Sequence, residues 1–317
     1  MMFETETVKR PEVSLVITNF NGRKFLPKII KMLEAQTYQD FEVVFVDDGS
    51  RDDSVNFMEN VSFDKIVLKK QENKGVASAK RVGVLASRGK YVMFADVDDE
   101  FEPKFIETYV EAIKISRADV VFLPVYEVTA NHKIRVELPD FSGFNFSTLL
   151  LTGRLQGWFC QSISYRQLWT GDLFTDGINY AEDLLAWIRM SKRNQISVFF
   201  DTKAPSTYSY IHQEESITRT FTIQAFESQW KSVQSIMQEC TSDVENGRKF
   251  GKNLLLYFYA QSLIQRDSEV IKWVEGFLLS RTALFKFSFL EKIRIKFKLF
   301  SIRTRFRNIL MEWKIIK

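Results

Sequence analysis

Residues 91–99 read Tyr-Val-Met-Phe-Ala-Asp-Val-Asp-Asp, an apolar run that ends abruptly in carboxylates. Two earlier runs have the same form: residues 13–18 lead into the polar segment 19–22, and residues 42–46 lead into Asp-Asp-Gly-Ser at 47–50. Helical patterns separate these runs, and near-continuous apolar strands between helices indicate a mostly parallel sheet with helices on its faces. Ligands of such α/β sheets bind beyond the carboxyl ends of the strands, so the polar ends of these runs mark the predicted site.

The alternation of strands and helices continues to about residue 220, and the pattern beyond it is helical. Three further elements, a hairpin or meander, a strand and an amphipathic helix, are predicted at 120–136, 158–165 and 183–192. We therefore predict an α/β catalytic domain over 10–220 and a helical C-terminal region over 221–317, with helix breaks near Thr241 and Arg266.

Composition limits the chemistry that the chain can use. Of its 317 residues, 45% are hydrophobic and 26% are charged, as in an ordinary folded protein. Two cysteines and two histidines are too few for a disulfide framework, a cysteine zinc site or a histidine-rich metal site, so a bound metal would depend on carboxylates. The polar first residues lack the apolar stretch of a signal peptide, and the densest apolar run, 254–260, is much shorter than a membrane span. We expect a cytoplasmic chain.

Positive charge is concentrated at the C-terminal end. The net charge of the chain is +4, yet residues 284–317 contain ten Lys or Arg against two Glu. Apolar residues recur there at helical spacing, at Ile302, Phe306, Ile309, Trp313 and Ile316. A basic amphipathic helix of this kind suits an anionic membrane and predicts a peripheral position at the inner face of the plasma membrane. The alternative is packing of the apolar stripe on the body or on a second copy in a homo-oligomer; nothing else in the chain supports nucleic-acid binding.

Acidic residues at the strand ends have a chemical and a structural interpretation. Asp96 and Asp98 lie one residue apart, where they could share a hard divalent ion with substrate phosphates or form a solvated turn before a helix. The segment 47–50 could accept hydrogen bonds from a nucleobase or ribose, or it could cap the helix that follows.

Two further polar groups have the same double interpretation. Lys80 lies near a predicted helix start, where it could meet a diphosphate or belong to a solvated helix face. Glu182 and Asp183 open a predicted helix, where they could supply a general base or simply stabilise the helix N-terminus.

The order and spacing of these segments resemble the family 2 glycosyltransferases, which have an A-type, Rossmann-like nucleotide-sugar-binding fold. The matching segments are VSLVITNFN at 13–21, QTYQDFE at 36–42, VDDGSRD at 46–52, NKGVASA at 73–79, GKYVMFADVDD at 89–99, FTDG at 174–177 and AEDL at 181–184. The resemblance covers residue 12 to about 220 and implies a mostly parallel sheet flanked by helices.

The resemblance implies roles for the donor side. Thr18 and Asp48 are expected to line the nucleobase pocket beside Asn19, with Asp48 accepting from the NH of a uracil ring. Asp96 is expected near the ribose. The family's usual Arg-Asn pair reads Lys-Arg at positions 80 and 81, which places Lys80 near the donor diphosphate. Thr18 replaces a commoner proline.

The metal and acceptor sides follow in the same way. Asp98 is expected to bind Mg²⁺ or Mn²⁺, with His212 either facing the phosphates as a further ligand or ordering its loop. Asp183 is the expected catalytic base, and Glu182 is expected to orient the acceptor. Gly157 and Trp158 are expected to border the acceptor pocket.

The predicted function is therefore metal-dependent, inverting transfer of a sugar, most simply from a UDP-sugar. The acceptor is a saccharide or lipid-linked saccharide, in the synthesis of cell-surface polysaccharide or glycolipid. Two alternatives remain at this point: a nucleotidyltransferase on a related sheet, and a non-catalytic nucleotide-sugar-binding relative.

Overall fold

The computed structural model describes residues 10–139, 145–213, 222–240, 243–265 and 268–280. These residues fall into two units. The first takes in the described parts of Met1–Leu150 and Leu155–Glu214, and the second takes in those of Leu151–Arg154 and Glu215–Lys317. The basic segment 284–317, and with it the predicted membrane-binding helix, lies outside the described residues.

The strands of the first unit form two sheets. In chain order the described strands are Val13–Asn19 (β1), Phe41–Asp47 (β2), Ile66–Lys70 (β3), Tyr91–Asp96 (β4), Glu100–Phe101 (β5), Val120–Phe122 (β6), Val125–Val128 (β7), Lys133–Val136 (β8), Ser162–Tyr165 (β9), Val198–Phe200 (β10) and Tyr208–Ile211 (β11). The larger sheet has the order β10-β6-β9-β4-β1-β2-β3, and the smaller one has the order β5-β11-β7-β8.

The larger sheet confirms the predicted architecture. β1 pairs in parallel with β2 and β4, β2 pairs in parallel with β3, and β10 pairs in parallel with β6. Only β9 among the described strands of this sheet runs antiparallel to its neighbours, β4 and β6. All residues of β2 are buried, as expected for a strand that is covered on both faces.

The smaller sheet contains a hairpin and two pairings of β11, with β7 and with β5, that were not predicted. The prediction for 120–136 is only partly correct: β7 and β8 pair antiparallel, but β6 lies in the larger sheet. β11 joins the hairpin on the other side of β7. The strand predicted over 158–165 is only partly correct, because Phe159–Gln161 forms a 3₁₀ turn before β9 begins at Ser162.

Helices cover the sheet of the first unit. They are Leu26–Glu34 (α1), Ser54–Glu59 (α2), Val76–Ala86 (α3), Phe105–Ser116 (α4), Phe146–Leu151 (α5) and Glu182–Arg193 (α6). Trp187 of α6 is fully buried, and its ring meets Phe122, Phe159 and Trp169 at centroid distances of 5.2–5.4 Å. This aromatic packing fixes the first turn of α6, which carries Glu182 and Asp183, against the sheet.

The described part of the second unit is helical, and the positions of the predicted breaks, Thr241 and Arg266, lie outside the described residues. Its helices are Ile223–Glu239 (α7), Val244–Gln265 (α8) and Ser268–Ser280 (α9). Thr222 caps α7, because its hydroxyl accepts a hydrogen bond from the Ala225 N–H at 3.1 Å. The Phe226 ring packs edge-on against Phe277 of α9, with centroids 4.9 Å apart. Among the described residues, no helix is long and apolar enough to cross a membrane.

Candidate functional site

The carboxyl ends of three neighbouring strands bring the predicted donor-side residues together. β1 lies between β2 and β4, and the strand register places Thr18 beside Asp96 and Asn19 beside Asp47. β2 and β3, which follow β1 in the sequence, lie on one side of it, and β4 lies on the other side. This reversal of strand order is the position at which α/β sheets bind ligands.

Asp47 ties the end of β2 to the end of β1. Its Oδ1 accepts hydrogen bonds from Asn19 Nδ2 at 2.8 Å and from the Ser50 hydroxyl at 2.6 Å. Its Oδ2 accepts from the Ser50 backbone N–H at 2.9 Å. Asn19 is 2% exposed and its amide is used between the two strands, so it shapes the loop from within.

Asp48 holds the segment that precedes α3. Its Oδ1 accepts from Gln71 Nε2 at 2.6 Å and from the Lys74 N–H at 2.9 Å, and its Oδ2 accepts from the Gly75 N–H at 2.9 Å. Gly75 has φ +89°, and a Cβ atom there would lie 2.0 Å from Asn179 Oδ1. The loop therefore needs both the carboxylate and the glycine.

A surface cavity of about 610 Å³ opens next to this loop. Its lining residues come from the ends of β1, β2 and β3 and are Phe20, Gly49, Ser50, Arg51, Lys70, Gln71, Glu72 and Asn73. Phe20 is 48% exposed, which leaves an aromatic face open beside polar backbone and side-chain groups. A planar ring with hydrogen-bonding edges fits such a surface.

The loop after β4 gathers three carboxylates of different character. Asp99 is 2% exposed and accepts from the Tyr208 hydroxyl at 2.6 Å and from the Ile211 N–H at 2.7 Å. The Tyr208 oxygen in turn accepts from the Asp96 N–H at 3.0 Å. Burial and the charge of Asp96 raise the pKa of Asp99 well above its usual range. Asp99 thus fastens β11 to the loop.

Asp98 is a carboxylate of this loop that does not hold the loop to another strand. It is partly buried, and no side chain of the described residues donates a hydrogen bond to it. Burial, followed by the charge of Asp96, raises its pKa to about 6. A divalent cation would offset both the burial of the charged carboxylate and its repulsion by Asp96, so Asp98 fits a metal-binding role.

The rest of a metal shell is not supplied by neighbouring acids or histidines. Within the described ranges, no group of three or more His, Cys, Asp or Glu side chains converges on one point. His212 Nε2 contacts Glu127 Oε1 on β7. The backbone N–H of His212 donates to the Val128 carbonyl at 2.9 Å. This pairing favours the interpretation in which His212 orders its loop. Gln213 Nε2 lies 3.5 Å from the main-chain oxygen of Asp98.

Lys80 does not stand on a solvated helix face. Its side chain is 5% exposed, and its ammonium group donates to Glu182 Oε1 at 2.7 Å and to Asp183 Oδ1 at 2.8 Å. The ammonium also lies 4.9 Å from the centroid of the Phe159 ring. Its contacts therefore lie with the two acids that open α6.

The Asp183 side chain is 18% exposed and is held at both oxygens. Oδ1 accepts from Lys80, and Oδ2 accepts from the Phe159 N–H at 3.0 Å. Burial raises the pKa of Asp183 to about 7, with Lys80 opposing the rise and Glu182 adding to it. A carboxylate with a pKa near neutrality is suited to general base work. Ala181, the residue that precedes α6, has the left-handed φ of +52°.

The predicted acceptor residues lie beside an aromatic pair. The Gly157 carbonyl accepts from Trp187 Nε1 at 2.9 Å, and Gly157 has a φ of +71°. Trp158 stacks on Tyr210 of β11, with centroids 4.9 Å apart and an interplanar angle of 25°. Stacked rings of this kind offer an apolar wall with polar edges.

The sequence prediction missed Tyr208, Tyr210 and Phe159. The alternation of Tyr208 and Tyr210 is a strand signal, but the partner strands β5 and β7 lie far away in the chain. Phe159 acts through its backbone N–H, which carries no sequence signal. Only the fold brings these groups to the site.

Known proteins resemble this chain in sequence and in structure. Residues 14–162 match the family model "Glycosyl transferase family 2". An uncharacterized glycosyltransferase of Rickettsia prowazekii is 27% identical over 208 residues, which is 62% of this chain and 63% of the relative. The glycosyltransferase GlyG of Streptococcus pneumoniae is 34% identical over 112 residues, 34% of this chain and 37% of that protein. The chain thus spans less than two thirds of the length of these relatives.

A solved structure supports the same fold. The crystal structure of S. aureus TarS 1–349 in complex with UDP-GlcNAc superposes with a TM-score of 0.61 at 16% identity, covering 95% of this chain and 80% of that one. At this identity the likeness concerns the fold. Together with the parallel sheet, it shows the A-type glycosyltransferase fold, within which residues 14–162 match glycosyltransferase family 2.

Proposed function

We propose that the chain is a metal-dependent, inverting glycosyltransferase that moves a sugar from a nucleotide sugar to a hydroxyl acceptor. The observation that carries the proposal is the position of Lys80, whose ammonium donates to Glu182 at 2.7 Å and to Asp183 at 2.8 Å and is also within the influence of the Asp96 charge. The acid at the end of β4 and the carboxylates at the start of α6 therefore face one region. A donor-side acid and a base on the acceptor side are the two groups that sugar transfer needs.

In the proposed reaction, Asp183 takes the proton of the acceptor hydroxyl. The acceptor oxygen forms a bond to the anomeric carbon, and the bond from that carbon to the diphosphate oxygen breaks, with its electron pair leaving on the nucleoside diphosphate. Attack from the face opposite the leaving group inverts the anomeric centre. Trp158 and Gly157 would border the acceptor, and Glu182 would help to orient it.

The donor side of the proposal assigns roles around the cavity beside β2. Thr18, Asp48 and Asp96 would lie along the nucleoside, and Phe20 offers a face for the base. Asp98 would hold Mn²⁺ or Mg²⁺, which would supply neutralisation of the charge that develops on the leaving diphosphate. UDP-sugars, carrying a hexose or an N-acetylhexosamine, are the first candidates, and the UDP-GlcNAc bound by the TarS structure supports testing them first.

The basic segment 284–317 extends the proposal to a membrane. Its ten basic residues and its apolar stripe would hold the enzyme reversibly on an anionic surface, at about 1 kcal/mol for each basic residue. A lipid-linked saccharide acceptor at the inner face of the plasma membrane would then be within reach. Co-sedimentation with anionic vesicles should be strong for the full chain and weak for a version ending near residue 283. Equal partitioning of the two versions would contradict this part.

The enzymatic proposal is tested by incubating the protein with a panel of nucleotide sugars and Mn²⁺ and measuring the nucleoside diphosphate released. We expect one nucleotide sugar to be consumed, and Asp183→Asn to lower the rate by roughly 100-fold or more, since the amide cannot take a proton. Binding of the free nucleoside diphosphate, measured by calorimetry, should be unchanged in that variant. Binding without any turnover by the wild type would indicate a non-catalytic relative.

A further inference from the structure

Lys80 is the one described lysine whose ammonium group contacts the two acids at the start of α6. It lies in α3, 102 residues from Glu182 in the sequence, and its side chain is 5% exposed. Few lysines are this buried, and those that are need a partner for their charge. Here two carboxylates and one aromatic face surround the three N–H donors.

The two acids share this single cation. Burial opposes ionisation of Glu182, but Lys80 outweighs it and lowers the pKa of that carboxyl. Burial alone would lower the pKa of Lys80, and the charges of Asp183, Glu182 and Asp96 hold it well above its usual range instead. The ammonium therefore stays protonated throughout the pH range in which Asp183 titrates.

We propose that Lys80 is a positioning residue of the transfer reaction, which holds Asp183 ionised and correctly oriented instead of contacting the donor diphosphate. This inference rests on the proposed function. During transfer the acceptor proton moves to Asp183, and Lys80 keeps all of its own protons. With Oδ1 on Lys80 and Oδ2 on the Phe159 N–H, the carboxylate has one orientation in which to meet the acceptor.

The two possible roles of Lys80, contact with the diphosphate and positioning of Asp183, affect different kinetic constants. A lysine on the diphosphate would change donor affinity, so its loss would raise the KM for the nucleotide sugar. A lysine on the base would instead change kcat and the pH at which kcat falls, with little change in KM.

The direction of the pH shift follows from the charges around Asp183. The charged or titratable groups that act there are Lys80 from α3, Glu182 on the same helix and the buried thiol of Cys160. Removing the cation in Lys80→Met favours the protonated base, so the acidic limb of kcat moves to higher pH by about one unit or more. Removing the neighbouring anion in Glu182→Gln favours the ionised base, so the limb moves to lower pH.

Two variants separate this effect from damage to the fold. Lys80→Arg keeps the positive charge and should restore most of the wild-type pH profile. Arg81→Met removes the adjacent cation of α3, which pairs with Asp176 at the surface, and should leave the limb at its wild-type pH. The position of the limb does not depend on how much of the sample is folded.

A measurement without turnover keeps the inference independent of the reaction. The carboxyl ¹³C signal of Asp183, assigned by its loss in Asp183→Asn, can be titrated by NMR in the wild type and in Lys80→Met. We expect its pKa to rise in Lys80→Met. An unchanged pKa, or a raised donor KM with an unmoved acidic limb, would overturn the proposal. If the wild type consumes no nucleotide sugar, the proposed function fails, and the titration still decides whether Lys80 controls Asp183.

Discussion

The loop after β2 and the loop after β4 have similar sequences, but their aspartates differ in the number of hydrogen bonds that they receive. Both follow buried strands that flank β1, and both begin with closely spaced aspartates. The carboxylates of Asp47 and Asp48 receive six hydrogen bonds from within the protein. Asp98 receives none from a described side chain, and burial raises its pKa.

The difference shows how neighbouring donors determine what an acid at a strand end can do. A carboxylate that already accepts several N–H groups is satisfied, and its removal damages the loop that it holds. Asp98 has only a backbone hydrogen bond and the charge of Lys24 to offset its burial and the charge of Asp96, so its ionised form is disfavoured unless a ligand adds positive charge. On this comparison, we expect Asp48 to shape the proposed donor pocket and Asp98 to bind the metal ion proposed for it.

The largest expected effect is the loss of activity in Asp98→Asn. The amide is nearly the same size but carries no charge for a divalent ion, so kcat/KM with Mn²⁺ should fall by roughly 100-fold or more. Circular dichroism should show an unchanged fold. Near-normal activity of this variant in EDTA-treated buffer would mean that Asp98 does not hold a metal ion that the reaction needs.

The same substitution should stabilise the metal-free protein. Because the folded-state pKa of Asp98 is raised to about 6, its ionisation costs stability progressively as the pH rises from about 4 to 6. In EDTA at pH 8, Asp98→Asn should therefore be more stable by about 1–3 kcal/mol, and the gain should vanish near pH 4. Urea unfolding at both pH values measures it. A loss of stability at pH 8 would mean that Asp98 is already paired.

The opposite result is expected in the loop after β2. Asp48→Ala removes the acceptor for the Lys74 and Gly75 N–H groups and for the Gln71 amide, so it should destabilise the protein by about 3 kcal/mol. Asp64→Ala, which removes an exposed acid in the loop before β3, should cost about 0.5 kcal/mol or less. Similar urea midpoints for the two variants would remove the distinction between the loops.

A smaller effect tests how tightly the Asp48 loop is packed. Gly75 and Gly177 both have positive φ angles, of +89° and +76°, so alanine strains the backbone at either position. A Cβ at Gly75 also meets Asn179 Oδ1, whereas none lies within 4 Å at Gly177. Gly75→Ala should thus cost about 1 kcal/mol more than Gly177→Ala in thermal unfolding. Equal costs would indicate that Asn179 moves aside freely.

Local sequence patterns were sufficient to predict the strands and the acidic residues at their ends. Apolar runs that stop at 18, 46 and 95 predicted β1, β2 and β4, and the periodicity over 183–192 predicted α6. Each of these signals lies within a few residues, and the parallel sheet then places the strand ends side by side.

Partners that are distant in the sequence were not predictable in this way. Lys80 was expected near the donor diphosphate or on a solvated helix face, and its contact with two acids was not predicted because they lie 102 and 103 residues further along the chain. The donors to Asp48 come from a loop more than 20 residues away, and they include backbone N–H groups that any residue could supply. Whether an acid is satisfied depends on such groups, and only the fold assembles them.

The most direct test of the contrast between the loops is the effect of Mn²⁺ on UDP binding, measured by titration calorimetry in the wild type and in Asp98→Asn. If Asp98 holds the ion against the diphosphate, Mn²⁺ should strengthen UDP binding roughly tenfold or more in the wild type. In Asp98→Asn, UDP should bind with the same affinity whether Mn²⁺ is present or absent. An equal strengthening by Mn²⁺ in both proteins would contradict the assignment of the metal to the loop after β4.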